Sequence, residues 1–337
     1  MARARVLLLG GSGLLGAPAA RVLRDAGHEV TVVSRGRREP VAGVRSLAAE
    51  RDDARGLAGA LRGERFDLAV DFLAYRGGDV DRALSLPSTR IERYVLVSSG
   101  QVYLVAAERR PPSREADGGL PLMAEPPAGT RDHAEWLYGV GKREAEARLR
   151  ERSASRGGAD LVLRLPVVQG AGDPTRRLWA YLERIRDGGP LLLPGGGGQP
   201  VRFVWAEDVA RVIASLAGGA NPPGRTYNLA QPDEPSLAEF LAEVAKGLGG
   251  PLRLVECTNA ELEVHALDPR LSPYSGSWCS RPDPSLAETE LAFRGSPSTE
   301  WLPAVVSAHL AERDPAHHPV YEQRPRELAF ARSRPEA

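Results

Sequence analysis

One early segment, RVLLLGGSGLLGAPAARVLRDAGHEVTVVSR, narrows the fold more than any other part of the chain. It runs from an apolar stretch (Val6 to Leu9) through a glycine-rich turn to Ala17–Ala26, where Ala20, Val22, Leu23 and Ala26 recur at roughly helical spacing. Gly27 then ends the helix and Val30 to Val33 forms a second apolar run. Two short apolar runs joined through a helix make a βαβ unit, because parallel neighbours need a crossover rather than a tight turn. Further runs at Leu68–Leu73, Tyr94–Val97 and Leu161–Leu165 continue the alternation, so a parallel sheet covered on both faces is expected.

The expected class is therefore α/β: a Rossmann-type doubly wound sheet with a smaller, interleaved C-terminal substrate domain. Breakers crowd the loop from Ala106 to Arg131, and again the segment from Gly170 to Pro200. The domain expectation is 1–168 with 201–230 for dinucleotide binding, 169–200 with 231–313 for substrate, and 314–337 as a tail that holds a short helix and then frays. Arg225–Ala230 reads as a return strand, and Ser236–Leu248 and Pro297–Leu310 read as helices.

Gly10, Gly13 and Gly16 form GxxGxxG between the first strand and its helix, with Ser12, Leu14 and Leu15 in the same turn. A dinucleotide site needs a tight turn, a backbone the pyrophosphate can approach, and free N–H groups at a helix N-terminus. The second strand ends at Ser34, where an NAD site carries an acid for the ribose hydroxyl, and Arg35, Arg37 and Arg38 follow. Arginines without the acid favour a 2′-phosphate, so NADP is the preferred cofactor and NAD the alternative.

The chain holds 42 arginines but only two lysines, Lys142 and Lys246. Tyr138 stands four residues before Lys142 on a charged helix expected from Glu135, so the two share a face. With eight tyrosines, chance alone gives such a pair in about one chain in twenty. The ammonium favours tyrosinate, which makes Tyr138 a candidate acid or base for a carbonyl or carbinol oxygen. Upstream, YVLVSSGQVY places Ser98 and Ser99 at the C-terminal end of a strand, the edge where parallel sheets bind ligands.

LLGGSGLLG, SSGQVY, YGVGK, LRLPVVQG, RFVWAEDVA and TYNLA occur in the order found in the extended short-chain dehydrogenases/reductases, the epimerase/dehydratase family, and residues 3 to 310 resemble it. The resemblance implies a catalytic triad of Ser99, Tyr138 and Lys142, with Lys142 also holding the nicotinamide ribose. It further implies that Leu73, Ala74, Tyr75, Ser98 and Pro166 line the cofactor and that Glu50 sits by the adenine. Gly100 and Gln101 stand where dehydratases of the family carry Asp-Glu, which argues against dehydration. Val167 replaces a usual Asn, and Arg202 is displaced by one residue from the usual diphosphate arginine. A nucleotide diphosphate substrate is therefore disfavoured, and small carbonyl compounds remain, including acidic ones that an arginine-bearing 106–131 loop could select.

The expected function is hydride transfer between the nicotinamide and a carbonyl or carbinol carbon of a small metabolite. A nucleotide-sugar epimerase with retained NAD and a non-catalytic binding or regulatory relative stand as alternatives. The 44 basic and 44 acidic side chains cancel, which gives no electrostatic case for nucleic acid or an anionic membrane. Cys257 and Cys279 lack metal or redox spacing, and no histidine has a partner spaced for a metal. The four-residue apolar run near the N-terminus is too short for a signal peptide, so a cytoplasmic enzyme is expected. Homodimerisation is expected by family analogy.

Overall fold

The computed structural model describes residues 3–155, 157, 159–222, 225–312 and 316–334. The chain forms two compact units, one of Met1–Gly170, Phe203–Ala230 and Ser280–Gly295, the other of Ala171–Arg202, Gln231–Cys279 and Ser296–Ala337. The first unit starts with β1 (Arg5–Leu9), α1 (Gly16–Asp25), β2 (Glu29–Ser34), β3 (Arg45–Ala48), α2 (Ala54–Ala60), β4 (Arg65–Asp71) and α3 (Gly77–Leu84). It continues through β5 (Arg90–Ser99), the short α4 (Gln101–Leu104), α5 (Arg131–Ala154), β6 (Leu161–Leu165) and β7 (Val167–Gln169). After α6 (Arg177–Arg186) and β8 (Leu191–Pro194) of the second unit, it resumes with β9 (Phe203–Trp205), α7 (Ala206–Ala217) and β10 (Thr226–Asn228). The second unit then contributes α8 (Leu237–Leu248), β11 (Leu254–Cys257) and α9 (Asn259–Val264). After α10 (Ser285–Glu290) of the first, it closes with α11 (Ser298–Leu310) and α12 (Arg324–Arg332).

Seven parallel strands form the sheet of the first unit in the order β3-β2-β1-β4-β5-β6-β10, a Rossmann-type arrangement. Chain order reverses between β1 and β4, whose register pairs Val6 with Leu68 and Leu9 with Asp71. Alternation along β1 separates two cores. Val6 and Leu8 pack with Ala19, Leu23, Val209 and Ile213 under α1 and α7, while Leu7 and Leu9 pack with Leu57, Val80, Ala145 and Leu149 under α2, α3 and α5. Full burial of each such leucine contributes about 1.5–3 kcal/mol of transfer free energy.

Several boundaries depart from the sequence expectation. β4 stops at Asp71 rather than Leu73, because the Asp71 carboxylate accepts the Leu73 N–H at 2.8 Å and turns the chain. α5 starts four residues before Glu135, at Arg131, with the Thr130 hydroxyl accepting the His133 N–H at 3.1 Å. Residues 280–295 join the sheet-bearing unit, and the short helix expected in the terminal stretch is α12. In α12, Glu327 is fully buried and paired with Arg184 at 2.7 Å, and Phe330 packs against Leu192, Cys257 and Leu262. Arg324 and Glu327 of this charged helix are buried and hydrogen-bonded to each other at 3.0 Å.

Candidate active site

The glycines at the end of β1 serve different ends. Gly10 has φ +93° and donates its N–H to Val33 O at 2.9 Å, and a Cβ there would stand 2.7 Å from Leu73 Cγ across the β1/β4 reversal. A Cβ on Gly16 would fall on the Gly10 carbonyl and on Gly11, so α1 could not lie against the turn. Gly13 is different: the nearest atom to its Cβ position is 3.8 Å away, which leaves open space over the turn. α1 follows with Leu15 as its N-cap and no side-chain cap; Ala17 donates to the Gly13 carbonyl at 3.0 Å, Ala19 donates to the Leu15 carbonyl at 3.2 Å and Pro18 has no N–H, so the Gly16 N–H is the donor this first turn leaves for an anion. Ser12, Leu14 and Leu15 stand in this turn, and the Ser12 carbonyl lies 3.4 Å from Arg38 Nη1.

Arg35 and Arg38 are exposed just beyond the half-buried Ser34 at the end of β2. Arg35 is near enough for its charge to act on the phenol of Tyr75, against the burial that pushes that phenol up. Glu50, expected near the adenine, lies 3.9 Å from Arg37 and is also exposed. The turn, the uncapped α1 and the two arginines fit a dinucleotide whose phosphates need N–H donors and positive charge.

Tyr138 and Lys142 share one face of α5. The Lys142 Nζ is buried and donates to the carbonyls of Ala74 at 2.9 Å and Val97 at 3.0 Å, which fix it between the β4 and β5 ends. It stands 4.9 Å from the ring centroid of Tyr75 and 5.8 Å from that of Tyr138. Burial pushes the Lys142 ammonium down to about 8, against the pull of Asp71 and Glu146. Close packing of α5 depends on the glycines around Tyr138. A Cβ on Gly139 would press on Val105 Cγ1 and the Gln101 carbonyl, and one on Gly141 would stand 2.6 Å from the Tyr75 carbonyl. Ser99 ends β5, and its hydroxyl accepts the Gln101 N–H at 3.2 Å.

The same α5 face carries two further acids that motif reading passed over, Glu135 and Glu146. Glu146 is buried and accepts from the Ser98 hydroxyl at 2.6 Å and from Arg164 at 2.6 and 2.9 Å. Arg164 also donates to the Tyr103 hydroxyl at 2.9 Å, and Tyr103 donates to Asn228 at 2.6 Å. Burial pushes the Tyr103 phenol up to about 12, so this tyrosine is a structural donor. Glu135 accepts from the Gln101 amide at 2.8 Å. Ser98, just before Ser99, and Gln101, two residues after it, are thus each tied to an α5 carboxylate. The spacing 135, 138, 142, 146 is the readable signal, since steps of three and four keep one helix face.

Asp71 at the end of β4 is fully buried, 2.5 Å from Arg51, and accepts a hydrogen bond from Tyr94. Leu73, Ala74 and Tyr75 follow it, and Pro166 separates β6 from β7. Two of the loop arginines expected to select an acid are engaged instead, while Arg131 is exposed. Arg110 pairs with Glu108 at 2.7 Å, and Arg114 lies 3.6 Å from Asp283. Arg202 belongs to the second unit, 3.3 Å from Glu234. Among the described residues no group of three or more His, Cys, Asp or Glu could hold a metal ion, and no helix is long and apolar enough to cross a membrane.

Residues 6–230 match the model of the NAD dependent epimerase/dehydratase family. The chain belongs to that family. A relative in Streptomyces kanamyceticus, 2′-dehydrokanamycin reductase, is 27% identical over 258 residues, covering 74% of this chain and 68% of its own. Among solved structures, UDP-glucose 4-epimerase of Thermotoga maritima with UDP-glucose matches with TM-score 0.69 at 15% identity, covering 91% of this chain and 98% of its own. MoeE5 in complex with UDP-glucuronic acid and NAD matches with TM-score 0.67 at 18% identity, covering 91% and 99%. The Bordetella bronchiseptica enzyme WbmF in complex with NAD⁺ gives 0.65 at 18%, covering 92% and 93%. These likenesses show a shared fold, and the last two structures hold NAD.

Proposed function

We propose that this family member is an NADP-preferring oxidoreductase that interconverts a carbonyl and a carbinol on a small, non-nucleotide metabolite. The observation that carries the reading is Lys142, buried and clamped by two carbonyls one turn from Tyr138. The bound nicotinamide supplies or accepts the hydride. Tyr138 passes the proton to or from the substrate oxygen, Lys142 favours the tyrosinate form and holds the ribose, and Ser99 orients that oxygen. Gly10, Ser12, Gly13, Leu14, Leu15 and Gly16 receive the pyrophosphate, with Leu73, Ala74, Tyr75, Ser98 and Pro166 along the nicotinamide half. Ser34, Arg35 and Arg38 take the ribose 2′-phosphate. The smaller unit is assigned to substrate selection, and a soluble homodimer in the cytoplasm is the working state.

Support for a non-nucleotide substrate comes from Val167 at the usual Asn position and from Arg202, engaged with Glu234. The Streptomyces relative, by its name, reduces a ketone on an aminoglycoside, which makes kanamycin a first alcohol to test. The experiment is NADP⁺ reduction by the purified enzyme with kanamycin, simple sugars and UDP- and GDP-sugars, with Tyr138→Phe as the control. Turnover of a non-nucleotide alcohol that Tyr138→Phe abolishes while cofactor binding persists supports the reading. Near-stoichiometric NAD⁺ released from denatured protein, together with tight UDP-sugar binding, would replace it with the epimerase alternative.

A further inference from the structure

The reading above names a reaction but leaves open what the substrate carries beside the reacting carbon. Glu135 bears on this directly. It lies three residues before Tyr138 on the same α5 face, so the two side chains are neighbours on the helix. Its Oε2 accepts the Gln101 amide at 2.8 Å, and Gln101 is itself buried and donates its backbone N–H to the Ser99 hydroxyl at 3.2 Å. One carboxylate oxygen is thereby anchored and the side chain is held in one orientation. Among the described residues no cation pairs with Glu135, whereas its charged neighbours have counterparts: His133 meets Glu125 at 2.9 Å, and Arg109 feels Asp132. Of the 106–131 loop arginines, Arg110 and Arg114 are paired with Glu108 and Asp283, and Arg131, four residues before Glu135 on α5, is exposed and forms no ion pair with it. A positioned, half-buried anion without a countercharge beside the proton donor is a recognition element for a positive group.

Resting on the oxidoreductase reading, we propose that Glu135, oriented by Gln101, binds a protonated amine of the substrate close to the reacting carbinol, so that the substrate class is an amine-bearing polyol. The amine donates to the free Glu135 oxygen while the carbinol oxygen meets Tyr138 and Ser99. No bond is made or broken at Glu135. Its role is specificity.

The test compares kanamycin with its fully N-acetylated derivative, the same skeleton without positive charge, by calorimetry on the NADP⁺-loaded enzyme and by NADP⁺ reduction. Wild type should bind kanamycin at least about tenfold more tightly than the acetylated form. Glu135→Gln, nearly isosteric, should remove most of that preference through KM, with a smaller change in kcat and an unchanged melting temperature. Gln101→Met, which releases the anchor but leaves the charge, should lose a smaller part, and Glu135→Asp should recover some of it. Equal binding of the two forms, binding of neither, or a preference that survives Glu135→Gln overturns the amine assignment. If neutral carbonyl compounds are still turned over through Tyr138 in any of those cases, the oxidoreductase reading stands without it. If no alcohol or ketone is turned over with either nicotinamide cofactor, both fall.

Discussion

The Lys142 ammonium lies under the ring of Tyr75, 4.9 Å from its centroid, while two backbone carbonyls take its protons. The site therefore holds a buried cation that the fold does not fully compensate, and burial lowers its proton affinity to about 8 from the ordinary 10.5. In the unfolded chain the same lysine titrates near 10.5, so between the two values the unfolded state binds more protons and stability rises with pH. Below about 8 the full penalty is present. Wild type should thus gain on Lys142→Met by up to ~3 kcal/mol as pH rises from 8 to 10.5, read from paired urea melts. Activity runs the other way: kcat/KM should fall as pH rises through about 8, where the ammonium that supports Tyr138 is lost. A flat stability difference across that window would remove Lys142 as the titrating group.

Glu146 holds the Ser98 hydroxyl and the Arg164 guanidinium from one carboxylate, both partners being buried. Glu146→Gln leaves Arg164 as a buried charge with only neutral acceptors, and the expected cost is about 3–5 kcal/mol. The double variant Glu146→Met with Arg164→Met should recover much of that, because an apolar pair of similar volume carries no desolvation penalty. Denaturant midpoints of the two variants check the order. A single variant as stable as wild type would mean that the pair contributes little.

How much of this was legible in the sequence follows from local physics. The βαβ unit, the glycine turn and the Tyr138/Lys142 pair are short-range patterns whose meaning is set within one turn of helix or strand. β3 is not legible because RSLA is a polar edge strand with no apolar alternation, and the docking of the short C-terminal helix α12 is not, because its burial depends on Arg184 and Asp187, far away in sequence. Glu135 and Glu146 were visible as helix spacing, but their partners Gln101, Ser98 and Arg164 arrive from other elements. Spacing alone could not separate them from surface acids.

The proposed NADP preference rests on Arg35 and Arg38, both exposed beside the turn. Arg35→Asp should weaken NADPH binding by about ten- to a hundredfold, the loss of one to two charge-assisted hydrogen bonds. NADH binding should hold or improve, because the new carboxylate can accept from a ribose hydroxyl. Titrations of the two reduced cofactors against wild type and variant measure the switch. Equal affinity of wild type for NADH and NADPH, unchanged in the variant, would return the site to NAD.

The two ends of the glycine motif give opposite expectations for the same substitution. A Cβ at Gly16 falls on the backbone of Gly10 and Gly11, with no flexible side chain to move aside, so Gly16→Ala must shift α1 against β1. Its cost is of the overpacking kind, about 1–3 kcal/mol or more, and appears in the melting temperature of the cofactor-free protein. At Gly13 the Cβ meets nothing closer than 3.8 Å, so Gly13→Ala should fold with unchanged stability. The methyl then occupies the space into which a pyrophosphate descends, and cofactor affinity should fall at least about tenfold. Thermal melts with and without NADPH separate the effects: Gly16→Ala lowers the cofactor-free midpoint, whereas Gly13→Ala loses only the cofactor-induced rise. A Gly13→Ala variant that keeps the full rise would move the phosphates elsewhere on the sheet edge.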